Sequence, residues 1–349
     1  MKKNLLFLAA AAVALASCSS DETTEVNESN AISFRPLVNN VTRAADISAA
    51  SDIADINVYA FKTGETTPAY IDNVLFDGPT TYTSVAKYYW PSYNLDFYAW
   101  SANSESNGDA SSQVSTSAYN SYVVTPSASA AAQADFIYAT STNVAKVATG
   151  VPLAFSHKES RILVKVKNTA ANLQFEVTGW KLGFMAPNGT FNGSTWGSLG
   201  TATASTIYTS DFTSSAQTIN YHASNTTALT GSQIMIPQAI TGVTEYASSS
   251  ADAAVNGSFI GIEFKATNTS TSTVQQTKVW GIWPIPDVTW VAGKQYTYVI
   301  DLADGGYFEK NQTSTDEKLD AIFGGQLIKF ATLTITDWDT TPGEIAADM

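Results

Sequence analysis

Apolar and polar residues alternate with period two through most of the chain, the pattern of strands whose side chains point in turn to opposite faces of a sheet. Over residues 55–61 (DINVYAF), Ile56, Val58 and Ala60 share one face. Over residues 95–100 (LDFYAW) the matching set is Leu95, Phe97 and Ala99. Residues 161–167 (RILVKVK) put Ile162, Val164 and Val166 on one side and Arg161, Lys165 and Lys167 on the other, which predicts a sheet with one solvated face. Further strands are predicted over 259–264, over 295–302 with Tyr296, Tyr298, Ile300 and Leu302 in register, and over 329–335 with Ala331, Leu333 and Ile335 on one face. Asn188-Gly189, Asn192-Gly193 and Asn256-Gly257 supply residues that tolerate positive φ in tight hairpins. One short helix is predicted over 316–323, where Ser314 and Glu317 have capping-box spacing and Gly324 can end it. Polar low-complexity stretches at 101–117, 127–134 and 201–218 predict long loops. The pattern is all-β.

The first residues follow a different rule. Lys2 and Lys3 precede an apolar run over 5–16, shorter than the about 20 residues a membrane-crossing helix needs. Residues 1–17 therefore read as a secretory signal. The run ends in Leu15-Ala16-Ser17-Cys18, which resembles the lipobox of bacterial lipoproteins. Cys18, the single cysteine of the chain, is the expected lipid-attachment site. The following Ser19-Ser20-Asp21-Glu22 resembles a surface-export signal of lipoproteins and reads equally well as a solvated acidic tether.

Length, charge and candidate chemistry narrow the function classes. At 349 residues the chain exceeds one ordinary core, and the polar Thr149-Gly150 segment predicts a division into residues 44–150 and 151–349. A net charge of −13 with no basic patch excludes a phosphate-backbone partner, because nucleic-acid binding needs clustered Lys and Arg. His157, in Phe155-Ser156-His157-Lys158-Glu159-Ser160, suggests a Ser/His/acid set, but no Gly-x-Ser-x-Gly elbow accompanies it or His222. A solitary cysteine makes neither a disulfide nor a zinc site, and Asp301 with Asp304-Gly305-Gly306 falls short of a calcium loop. We therefore expect no catalytic residue, no metal and no cofactor, and no enzyme. Tyr88, Tyr89, Trp90, Trp280, Trp283 and Trp290 read either as core or as a platform on which sugars stack.

Residues 31–44 (AISFRPLVNNVTRA) combine a strand with a basic site. Ile32, Phe34, Pro36 and Val38 have one parity and could line a groove, and Pro36, without an N–H, fits only an edge or bulge. With this segment the sequence resembles the fimbrillins, or Mfa-like proteins, type V pilins of Gram-negative anaerobes. The resemblance rests on the Cys18 lipobox, ISFRP followed by Thr42-Arg43-Ala44, YYWPSYNLDFYAW from Tyr88, DFIYAT from Asp135, VPLAFSHKESRILVKV from Val151, GKQYTYVIDL from Gly293, and LTITDW ending at Trp338.

The resemblance implies two tandem transthyretin-like β-sandwiches and an assembly route. A lipidated precursor would reach the outer membrane and the cell surface, and an Arg-specific protease would cut between Arg43 and Ala44. Residues 18–43 would be lost, with the groove-filling Ile32, Phe34 and Val38. A strand of the next subunit, in a homo- or hetero-polymer, would then fill the groove, which is β-strand addition used as a joint. The candidate donor is the face Ala331, Leu333, Ile335. Shaft and tip roles both stay open, as does adhesion to a host glycan or protein. The alternative from another class is a lipid-anchored, monomeric glycan-binding surface protein.

Overall fold

The computed structural model describes residues 30–38, 52–79, 82–104, 108–109, 111–221, 223–242, 257–303, 307–308 and 332–338. The all-β expectation holds: apart from short 3-10 turns, every described element is a strand. The helix expected over 316–323 lies outside the described residues.

The first sheet runs in the order Phe34–Val38, Val151–His157, Asp135–Val144, Leu95–Ser104, Asp55–Lys62, Ile71–Asp77, with Gly108–Asp109 attached to Leu95–Ser104. Its pairs are antiparallel except the first, where Phe34–Val38 runs parallel to Val151–His157. Both faces are buried. On one, Ile56, Val58, Ala60, Leu95, Phe97 and Ala99 pack as the alternation predicts. On the other, Tyr59, Phe61, Trp100, Phe136 and Tyr138 pack against a four-stranded sheet of Val114–Ala118, Ser121–Val124, Gly189–Phe191 and Trp196–Leu199.

A second sandwich follows. One layer has the order Ala223–Ala228, Ser160–Asn168, Lys294–Asp301, Thr332–Asp337, with Gln233–Met235 also on Ser160–Asn168. The facing layer is Ile207–Asp211, Leu173–Gly183, Phe259–Asn268, Thr273–Pro284, Tyr307–Phe308, with Gln217–Ile219 on Leu173–Gly183. Ile162, Val164, Val166, Tyr296, Tyr298 and Ile300 meet Trp180, Leu182, Ile260, Ile262 and Trp283 between the layers.

Several local expectations change. The Thr149-Gly150 segment is a turn inside the first sheet: Gly150 has φ +83°, and the strand after it pairs on both sides with earlier residues. Gly189–Phe191 and Trp196–Leu199 return to the first sandwich, so a division at 150 does not coincide with the sheets. Arg161, expected on a wet face, is buried, at the end of its strand where Gln233–Met235 pairs alongside. Two of the expected loops carry strands, Val114–Ala118 and Ile207–Asp211. Gly193 does occupy a left-handed hairpin position, with φ +87°, beside Asn192, whose side chain accepts from Thr195 N–H at 2.8 Å. Asn188-Gly189 instead enters a strand.

Candidate functional site

The strand Phe34–Val38 lies at the edge of the first sheet, in parallel register with Val151–Phe155 from Phe34↔Val151 to Val38↔Phe155. An edge is where a proline strand is tolerated, and Pro36 pairs with Leu153 there. Ile32, Phe34 and Pro36 are buried while Ser33, Arg35 and Leu37 are exposed, so the predicted face points inward. The backbone of Val38 continues the strand as far as Phe155.

Phe34 is the anchor of this strand. Its ring sits edge-on to Phe76 at 4.8 Å and to Phe97 at 5.7 Å, inside the cluster that also holds Val151, Leu153 and Phe155. The residues just before the strand are fastened separately: Ile32 N–H donates to Tyr88 O at 2.8 Å, and Trp90 N–H donates to Asn30 O at 3.0 Å. Burying a large apolar side chain contributes about 1.5–3 kcal/mol, so Ile32 and Phe34 together contribute about 3–6 kcal/mol. Removing residues 30–38 would uncover Phe76, Phe97 and the edge of Val151–His157 at once.

The last described strand, Thr332–Asp337, is the edge of a sheet in the second sandwich and pairs antiparallel with Lys294–Asp301. Leu333 is buried against that core, whereas Ile335 is 40% exposed. The expected continuous apolar face is therefore broken: Ile335 lies beside Tyr296 and, among the described residues, is left partly exposed at the sheet edge. Ala331 lies outside the described residues, as do Cys18, Arg43 and Ala44.

His157 is buried, with Nδ1 2.7 Å from Asp135 Oδ2, and its ring stacks on Trp338 at 4.2 Å with the planes 8° apart. Ring and carboxylate are closed off from any substrate, so the Ser/His/acid resemblance has no chemical outlet here. Trp90, Trp283 and Trp290 are core residues, and Trp290 Nε1–H donates to Tyr298 Oη at 3.0 Å. Trp280 is half-buried under Lys181, whose Nζ lies 4.3 Å from the ring centre. The stacking platform is therefore reduced to half-buried Tyr88, Tyr89 and Trp280. Sequence reasoning missed the Tyr88–Trp90 clamp on residues 30–32 and the Trp338 stack on His157, both of which join distant segments without any local pattern.

A fimbrillin-like family model matches residues 42–338. Among solved structures the chain is similar to a fimbrial protein from Bacteroides vulgatus, with TM-score 0.54 and 15% identity over 81% of this chain and 98% of that one. It is also similar to a "putative cell adhesion protein" from Bacteroides ovatus, with TM-score 0.49 and 17% identity over 89% of this chain and 99% of that one. At such identities the likeness is one of fold. No curated protein matches the chain.

Proposed function

The chain belongs to the fimbrillin-like family, and from that premise we propose that its first strand closes an assembly groove until proteolysis removes it. The protein is a structural, non-enzymatic subunit of a fimbria or adhesive structure at the cell surface. In the finer reading, Cys18 carries the lipid that delivers the precursor to the outer membrane, and an Arg-specific protease cuts after Arg43. The mature chain then begins at Ala44, and a strand from another subunit takes the place of Phe34–Val38.

One observation carries this reading. The segment that would be lost ends in a sheet edge, so its departure breaks one ladder and the two hydrogen bonds to Tyr88 and Trp90, yet it buries Ile32, Phe34 and Pro36. Loss of about 3–6 kcal/mol is a large share of the about 5–15 kcal/mol that holds a domain together. A cut subunit is thus driven to refill the groove, and a strand of matching pattern does so at the same edge. Leu333 on the opposite terminal strand makes that segment one candidate donor, in a shaft subunit. A tip subunit would accept a strand without donating one. The monomeric glycan-binding alternative loses support, because Trp90, Trp283 and Trp290 are packed in cores.

The test is incubation of the purified protein with an Arg-specific protease, followed by N-terminal sequencing and sizing. A new terminus at Ala44 together with oligomers supports the proposal. Cleavage at Ala44 that leaves a stable monomer contradicts it.

A further inference from the structure

The turn between Val151–His157 and Ser160–Asn168 joins the two sandwiches, and it is held by polar groups that are almost entirely buried. Glu159 is 0% and Asp135 1% exposed. Phe136 N–H donates to Glu159 Oε2 at 2.9 Å, tying the turn to the first sheet. Gly293 N–H donates to Glu159 O at 2.8 Å, and Trp338 N–H donates to Gly293 O at 2.8 Å, tying the same turn to the end of the last described strand. The Trp338 ring completes the circuit by stacking on His157, which is hydrogen-bonded to Asp135. Glu159 Oε1 and Asp135 Oδ1 have no hydrogen-bond partner among the described residues.

We propose that Glu159, in its neutral form, is a proton-operated latch that keeps Trp338, and with it the end of the strand Thr332–Asp337, docked against the first sandwich. The proposal stands apart from the assembly route and holds whether or not Arg43 is cut. Its physical basis is that a buried carboxylate with one unsatisfied oxygen, close to a second carboxyl group, is costly to ionise in place. Opening the junction lets water reach that carboxylate.

Burial, the largest influence, pushes the Glu159 carboxyl up to about 8; the Phe136 N–H opposes this, Asp135 adds to it and His157 reduces it. Tyr208, on Ile207–Asp211, also feels Glu159, and burial pushes its hydroxyl up to about 12. Arg161 lies two residues on, in the strand Ser160–Asn168, Lys158 turns instead toward the Tyr138 and Phe191 rings, and Asp337 beside Trp338 pairs with Lys294. With the docked pKa above the open one, docking is strongest below the ordinary carboxylate range, weakens as pH rises, and levels off above about 8. One proton released on opening gives about a tenfold increase in the opening constant per pH unit between those limits.

The test is hydrogen exchange read by mass spectrometry on the intact chain between pH 5.5 and 7.5, with rates corrected for the intrinsic base catalysis of exchange. Protection of residues 332–338 is expected to fall about tenfold per pH unit in the wild type. In Glu159→Gln, which keeps an acceptor for Phe136 N–H, it is expected to be independent of pH. In Trp338→Phe it is expected to be severalfold lower at every pH with the wild-type slope. A flat wild-type profile overturns the proposal. So does a slope that survives in Glu159→Gln, which would assign the titration to another group, or a Trp338→Phe protein as protected as the wild type.

Discussion

The first and last described strands are both sheet edges, but they are held by different means. Phe34–Val38 is bound in a single parallel ladder and fixed by side chains, with Phe34 wedged against Phe76 and Phe97 and the Tyr88–Trp90 segment clamping the residues before it. Thr332–Asp337 has an antiparallel ladder, a buried Leu333, an exposed Ile335, and attachments at its end through Trp338 and the Lys294–Asp337 ion pair. The difference teaches that detaching the first strand forfeits core, whereas detaching the last chiefly forfeits backbone hydrogen bonds and its terminal contacts. A strand of the second kind moves more readily; one of the first kind leaves behind a cavity that demands an occupant.

Substitutions can break or sharpen this contrast. Phe34→Ala should have the largest effect, destabilising the first sandwich by about 3–5 kcal/mol in chemical denaturation while leaving the transition of the second sandwich in place. A loss under about 1 kcal/mol would mean that the strand is not a core element. Leu333→Ala should cost about 2 kcal/mol, at the low end for a buried leucine because an edge site can partly collapse, and it should act on the second sandwich alone. Ile335→Ala should change stability by no more than about 0.5 kcal/mol, as its side chain is partly in water. An effect of Ile335 as large as that of Leu333 would restore the continuous apolar face inferred from the alternation.

Much of this architecture was legible locally. Ile56, Val58 and Ala60, and Leu95, Phe97 and Ala99, sit on the core faces that their parity assigns. What escaped was the second buried face of those strands, because Tyr59, Phe61 and Trp100 turn an alternation into a nearly continuous apolar run, the pattern of a strand covered on both sides. Val114–Ala118 escaped because VSTSA has little apolar content of its own and is held in place by pairing with Ser121–Val124. The inward parity of Ile32, Phe34 and Pro36 was legible, whereas the docking of Trp338 on His157 joins positions far apart in the chain and leaves no trace in any window.

The most direct measurement is sizing of the protein after cleavage at Arg43, with and without an excess of a synthetic peptide of residues 30–38. The account predicts oligomers without the peptide and monomers with it, because the peptide refills the groove around Phe76 and Phe97 before another subunit can. Oligomers that persist unchanged in saturating peptide would contradict the claim that this groove is the joint.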